Sequence, residues 1–168
     1  GYAEDSYTPT SPNFAVLQYP FPEIPFHYYK DGIRLSSLLY QREVPKVKTT
    51  NYITGIKHQP WLKKQGTDFI LYHDGKYVRE SDRSNFFMIN QEGVLCTPAT
   101  GVLEGISRGK IIEVAKKIMP VEVRDFPLEE VWSAQEAFFT STIKWVMPVV
   151  SIDGRPIGNG KPGPITNK

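Results

Sequence analysis

The sequence predicts a mixed α/β fold of the α+β kind, in which largely antiparallel strands carry flanking helices. Three observations predict it. Asp74-Gly75, Glu92-Gly93 and Asp153-Gly154 sit beside apolar, strand-forming runs, as turn dipeptides do. Ser107 to Ile118 instead repeats its apolar residues at helical spacing. Because strand and helix signals alternate along 168 residues, they belong to one intermixed domain.

Residues 1–30 are dense in prolines and aromatics, among them Pro9, Pro12, Phe14, Tyr19, Pro20, Phe21, Pro22 and Pro25, and are expected to run as extended chain. Ile33 to Tyr40 reads as the first strand. Asn51 to Gln65 has helical spacing in Tyr52, Ile56, Trp61 and Leu62, with Pro60 expected to kink or split it and Gly66 to stop it. Phe69 to Tyr72 and Lys76 to Glu80 read as a hairpin across Asp74-Gly75. Asn85 to Asn90 and Val94 to Thr97 flank Glu92-Gly93, so an antiparallel meander is expected. Ser107 to Ile118 forms a helix that Met119-Pro120 ends. Pro127, at a first helical position, opens a short helix carrying Leu128, Val131 and Trp132. Ala137 to Thr140 and Val146 to Ile152 read as the closing strands.

Composition narrows the function. The chain is 40% apolar and 23% charged, so it folds. Twenty basic against eighteen acidic residues leave a net charge of +2, which does not call for nucleic acid or a membrane surface as partner. No apolar run approaches the roughly 20 residues of a membrane span. The single cysteine, Cys96, cannot form an internal disulfide and has no metal-ligand spacing around it, which points to a small core residue, no metal site and a cytoplasmic location. Gly158 to Pro164 is a turn cluster, since it lacks the Gly-Lys-Ser/Thr of a phosphate loop.

Four positions carry chemistry, each beside an ordinary reading. Lys48 alone would be a solvated charge, yet a desolvated lysine condenses with carbonyls. Glu80, at a strand end, would ordinarily be exposed, but a carboxylate on a pyridine nitrogen keeps that nitrogen protonated. Ser107, after Gly105 and Ile106, could be only an N-cap; the same helix start offers N–H groups to a phosphate. Thr140-Ser141-Thr142 is a second hydroxyl-rich turn. Asn85 reads as a turn or backbone-bonding residue.

Their order resembles a family. Lys48-Thr49-Thr50-Asn51-Tyr52, Glu80-Ser81-x-x-Ser84-Asn85, Thr97-Pro98, Leu103-x-Gly105-Ile106-Ser107-Arg108, Phe139-Thr140-Ser141-Thr142, Pro148-Val149, Ile152-Asp153-Gly154 and Gly163-Pro164-x-Thr166 are similar to motifs of the fold type IV pyridoxal phosphate enzymes. These are the branched-chain aminotransferases, D-amino acid aminotransferases and aminodeoxychorismate lyases. Single motifs are loose, but eight in register across nearly the whole chain are specific.

The resemblance implies a carboxyl-terminal pseudo-barrel domain over residues 31–168, with residues 1–30 as the end of an amino-terminal lobe and its linker. It implies pyridoxal 5'-phosphate as cofactor. Lys48 resembles the Schiff-base lysine, Glu80 the partner of the pyridine nitrogen and Tyr52 a hydroxyl contact to the phenolic oxygen. Leu103 would lie against the ring. Gly105, Ile106 and Ser107 with Ser141 and Thr142 would hold the phosphate, and Arg42 would stand behind these contacts. Family members also have a full amino-terminal lobe and a final helix beyond Thr166, which are expected to be missing here. Glu4-Asp5-Ser6-Tyr7-Thr8-Pro9 departs from the arginine and histidine of D-amino acid enzymes; Thr49-Thr50 departs from the Gly-Gly of branched-chain ones. The implied reaction moves an amino group between an amino acid, branched-chain ones among the candidates, and a 2-oxo acid in a homodimer. Pyruvate release from aminodeoxychorismate, and a lobe that binds cofactor without turnover, are the alternatives.

Overall fold

The computed structural model describes residues 14–167, so Gly1 to Pro9 and its resemblance to a lobe-closing loop lie outside the described residues. Residues 14–25 have no regular structure, and Phe14, Tyr19 and Phe21 are exposed. Where the prolines stop, the expected extended course gives way to a helical turn, α1 (His27–Lys30), whose Tyr28 and Tyr29 pack against the core.

The chain then runs through β1 (Ile33–Leu39), α2 (Ile53–Lys57), α3 (Gln59–Gln65), β2 (Phe69–His73), β3 (Asn85–Ile89), β4 (Leu95–Thr97), α4 (Ile106–Ala115), β5 (Val121–Val123), α5 (Leu128–Val131), β6 (Glu136–Ser141), β7 (Trp145–Ile152) and β8 (Arg155–Pro156). One sheet takes all eight strands in the order β2-β1-β7-β6-β3-β4-β5, with β8 paired to β7, and forms an open half-barrel. The mixed α/β class is as expected.

The expected split of the helical stretch over 51–65 is present, and two local expectations change. The helix over 51–65 is two helices that part at His58, with Pro60 in the first turn of the second; its lack of an N–H costs nothing there. Gly66 does end it, in the left-handed region at φ 66°. Lys76 to Glu80 turns back along β2 through peptide hydrogen bonds of Tyr77 to Asp74 and of Arg79 and Glu80 to Tyr72, but it forms a single bridge, Val78 to His73, and no regular strand; the Val78 N–H goes to the Phe126 carbonyl. The meander accordingly holds for β3 with β4 alone. Beyond α2 and α3, β2 returns parallel to β1, Leu35 opposite Phe69 and Leu39 opposite His73. Pro127 is the N-cap of α5, not its first residue.

Two cores flank the central strands. Successive side chains of a strand point to opposite faces. Phe86 and Phe139, paired across β3 and β6, therefore join the cluster that contains Ile33, Leu35 and Met147; Phe87 and Phe138 lie under α4 with Ile111 and Ile112. The first ring pair meets edge-on at 5.9 Å and the second stacks at 5.0 Å. Burial on both faces makes β3 the rigid element from which the site is hung.

Candidate active site

Glu80 is 4% exposed, against the ordinary expectation for a glutamate at a strand end. Its peptide oxygen accepts from the Tyr72 N–H and the Arg79 N–H donates to the Tyr72 oxygen, which fixes the residue against β2. Three donors meet its carboxylate. The Leu103 N–H (2.9 Å) and Asn85 Nδ2 (3.1 Å) reach Oε2, and Arg42 Nη1 (3.1 Å) reaches Oε1. Burial pushes the carboxyl pKa up; the Leu103 N–H and the Arg42 guanidinium oppose it. A carboxylate has about four lone-pair sites, so one further donor can still be accepted.

Asn85 is the residue whose importance the sequence understates. It opens β3, and while one amide proton meets Glu80 the other goes to the Leu103 carbonyl at 2.7 Å. Arg42 likewise does two things: beyond Glu80 it donates to the carbonyls of Pro45 (3.0 Å) and Val47 (2.6 Å). The peptide before Lys48 is thereby tied to Glu80. Lys48 itself is exposed and lies in irregular chain, since α2 begins only at Ile53. A small recess beside it, about 60 Å³, is lined by Arg42, Val44, Thr49 and Asn51 among others.

Tyr52 caps the start of α2, and the Arg83 guanidinium lies 4.3 Å from its ring centre. Leu103, half-buried, leads from the Glu80 contact into Gly105, the N-cap of α4. Among the described residues no side chain caps that helix. Ser107 is its second residue and not an N-cap, and Ile106 is 82% exposed, so the first N–H groups stand open to an anion. A Cβ on Gly105 would lie 2.3 Å from Asn85 Oδ1, a close approach that only glycine permits. On the other side Ser141 ends β6, Thr142 is exposed in the turn to β7, and Thr140 stands opposite Asn85 in the sheet. Thr140 Oγ1 is buried with no hydrogen-bond partner among the described residues. No group of metal-ligating side chains occurs among them.

The sheet therefore brings Glu80, Leu103 and the Gly105–Ser107 helix start together through Asn85, and brings Ser141 and Thr142 beside them through β3–β6 pairing. Arg42 draws the Lys48 loop to the same carboxylate. Arg42 was expected behind these contacts; Asn85's double bond and Arg83's place over Tyr52 would have been hard to find from sequence. The available signal was Asn85's place at the start of a strongly apolar strand, where a polar side chain needs a partner.

A buried carboxylate, an open helix start and a lysine on a tethered loop are the kinds of group that hold pyridoxal phosphate. Residues 1–152 match the Amino-transferase class IV family, and the chain belongs to it. Pyridoxal phosphate is the cofactor of that family.

Among relatives, the chain is 42% identical over 102 residues to a probable branched-chain-amino-acid aminotransferase of Aquifex aeolicus, covering 59% of this chain and 33% of that protein. It is 38% identical over 125 residues to a D-alanine aminotransferase of Listeria monocytogenes, covering 73% and 43%. The structure superposes on the branched-chain amino acid aminotransferase from Thermobaculum terrenum in its PLP-form at a TM-score of 0.74, with 26% identity, over 86% of this chain and 50% of that one. The chain thus spans a third to a half of the length of these proteins. No helix among the described residues is long and apolar enough to cross a membrane.

Proposed function

We propose that the protein is a pyridoxal phosphate-dependent aminotransferase that moves an amino group between an amino acid, branched-chain included, and a 2-oxo acid. The observation that carries this reading is the Arg42 guanidinium, which joins the buried Glu80 carboxylate to the loop that bears Lys48. When bound, the cofactor supplies an aldehyde and an electron-withdrawing ring. Glu80 accepts the ring N–H, and the three donors around its carboxylate keep it aimed. Lys48 would provide the amine that holds the cofactor by its aldehyde, and would carry a proton to and from the substrate α-carbon. Leu103 covers the ring, and the Tyr52 hydroxyl meets the phenolic oxygen. The open N–H groups at Ile106 and Ser107, with the hydroxyls of Ser107, Ser141 and Thr142, hold the phosphate. Residues 31–168 serve as the cofactor domain of a homodimer, with residues 1–30 linking it to an amino-terminal lobe.

Substitution of Lys48 by Ala in the full-length protein tests the central assignment. Added pyridoxal phosphate should give no lysine-linked visible band, and amino transfer from a panel of amino acids to 2-oxoglutarate should fall by at least about 10²-fold, the lower range for loss of a positioned proton carrier. An unchanged band and rate would remove Lys48 from the role.

A further inference from the structure

The motif Glu80-Ser81-x-x-Ser84-Asn85 leaves residues 82 and 83 open, and both lean on α2. The stretch closes on itself, with the Ser81 N–H donating to the Ser84 carbonyl at 2.8 Å and Ser81 Oγ to Asp82 Oδ1 at 3.0 Å. A Cβ on the buried Gly55 would lie 3.0 Å from Asp82 Oδ2, so α2 is seated directly on this loop. Beside that contact the Arg83 guanidinium lies 4.3 Å from the centre of the Tyr52 ring.

Tyr52 needs an outside support. It follows Lys48 by four residues and is the N-cap of a helix of five residues, too short to be rigid by its own hydrogen bonds. Its carbonyl accepts from the Ile56 N–H at 3.0 Å, a bond that fixes the backbone but leaves the ring to turn. Arg83 supplies what is missing. Its neighbouring carboxylate, Asp82, stands 3.8 Å away and already accepts from Ser81, so the guanidinium is not locked in a close ion pair. A planar cation is drawn to the face of an aromatic ring and holds that face towards itself. The phenol oxygen lies in the ring plane, so a fixed face fixes the direction of the hydroxyl.

We propose that Arg83 is a positioning residue, which aims the Tyr52 hydroxyl at the cofactor and couples that contact to Glu80, three residues earlier in the chain. The inference rests on the aminotransferase reading above, in which Glu80 and Tyr52 meet the same cofactor ring. It goes beyond that reading by giving a role to a residue that the family resemblance leaves unassigned.

The test titrates the full-length protein with pyridoxal phosphate and takes apparent affinity from growth of the visible band, in wild type, R83Q, R83K, Y52F and the double variant R83Q/Y52F. Loss of an exposed cation over a ring should weaken R83Q by about two- to fivefold. R83K keeps the charge and should regain most of that. Y52F lacks the hydroxyl and should weaken binding by about tenfold, after which R83Q should add nothing further. An Arg83 that merely supported the fold would weaken binding equally with and without the Tyr52 hydroxyl. That equality would overturn the inference, as would R83Q at wild-type affinity or R83K no better than R83Q, while a wild-type band and amino transfer keep the functional reading. Absence of both from wild type would instead overturn that reading, and this inference with it.

Discussion

Gly105 and Asn85 touch at the point where the two ends of the proposed cofactor site meet. A methyl group at Gly105 would press on Asn85 Oδ1 from 2.3 Å, and Asn85 cannot yield without releasing Glu80 or Leu103. Gly105→Ala should therefore cost about 1–3 kcal/mol in urea unfolding, the usual range for overpacking. It should also weaken pyridoxal phosphate binding in a titration of the cofactor's absorbance. Asn85→Ala acts by subtraction: it leaves the Leu103 carbonyl and a lone pair of Glu80 without a donor, a loss of about 1–3 kcal/mol. Equal stability and cofactor affinity in both variants would show that this contact does not organise the site.

The loop from Pro98 to Leu103 is placed by a clamp outside the site. Arg79 donates to the Thr100 carbonyl at 2.7 Å and pairs with Asp125 at 3.0 Å and Asp74 at 2.5 Å, while Asp125 accepts from the Ala99 and Thr100 N–H groups. Gly101, at φ 69°, passes so near Arg79 that a Cβ would lie 2.8 Å from it. Burial alone would raise the Asp74 carboxyl; the N–H groups of Tyr77 and Lys76 and the Arg79 guanidinium outweigh it and bring the pKa from 3.8 down to about 2. A depressed carboxyl adds stability that is complete well above pH 3.8 and is lost as pH falls towards 2. Asp74→Asn should flatten the pH dependence of the urea midpoint between those limits, and an unaltered acid limb would refute the clamp's role. A second clasp closes the other end of the chain. Glu136 accepts from the N–H groups of Ile165 (3.0 Å) and Thr166 (2.8 Å), and a Cβ on Gly163 would fall 1.9 Å from its carboxyl carbon. Gly163→Ala should free residues 163–166, seen as faster amide exchange at Ile165 and Thr166.

Sheet order makes these pieces one body. β3 and β6 lie in mid-sheet, and their paired phenylalanines fill both cores, so Phe139→Ala should cost about 3–5 kcal/mol and lower the melting temperature of the full-length protein. Little loss would mean that the two faces fold independently. Some of the exposed apolar side chains fall on the segments that bear the site: Val44 and Val47 before Lys48, Ile53 and Ile56 in α2, Ile106 at the start of α4, and Ile143 and Trp145 after Thr142. Association commonly covers such side chains. The proposed homodimer should appear as a twofold mass in sedimentation equilibrium of the full-length protein, and a monomer at all concentrations would rule it out.

Turn dipeptides, the α4 periodicity, the Gly66 stop and the helix split just before Pro60 were legible because each rests on residues a few places apart. The order of Lys48, Glu80, Gly105–Ser107 and Ser141–Thr142 was legible too, and with it the family. Short β5 and the parallel return of β2 were not, because their partners lie 26 and 34 residues away in sequence, Leu95 to Val121 and Leu35 to Phe69. Glu80's burial and Asn85's double bond have the same origin. Sequence types the groups and their order; only the packed sheet decides which of them lose water and find a partner, since desolvation and hydrogen bonding depend on neighbours brought from distant chain.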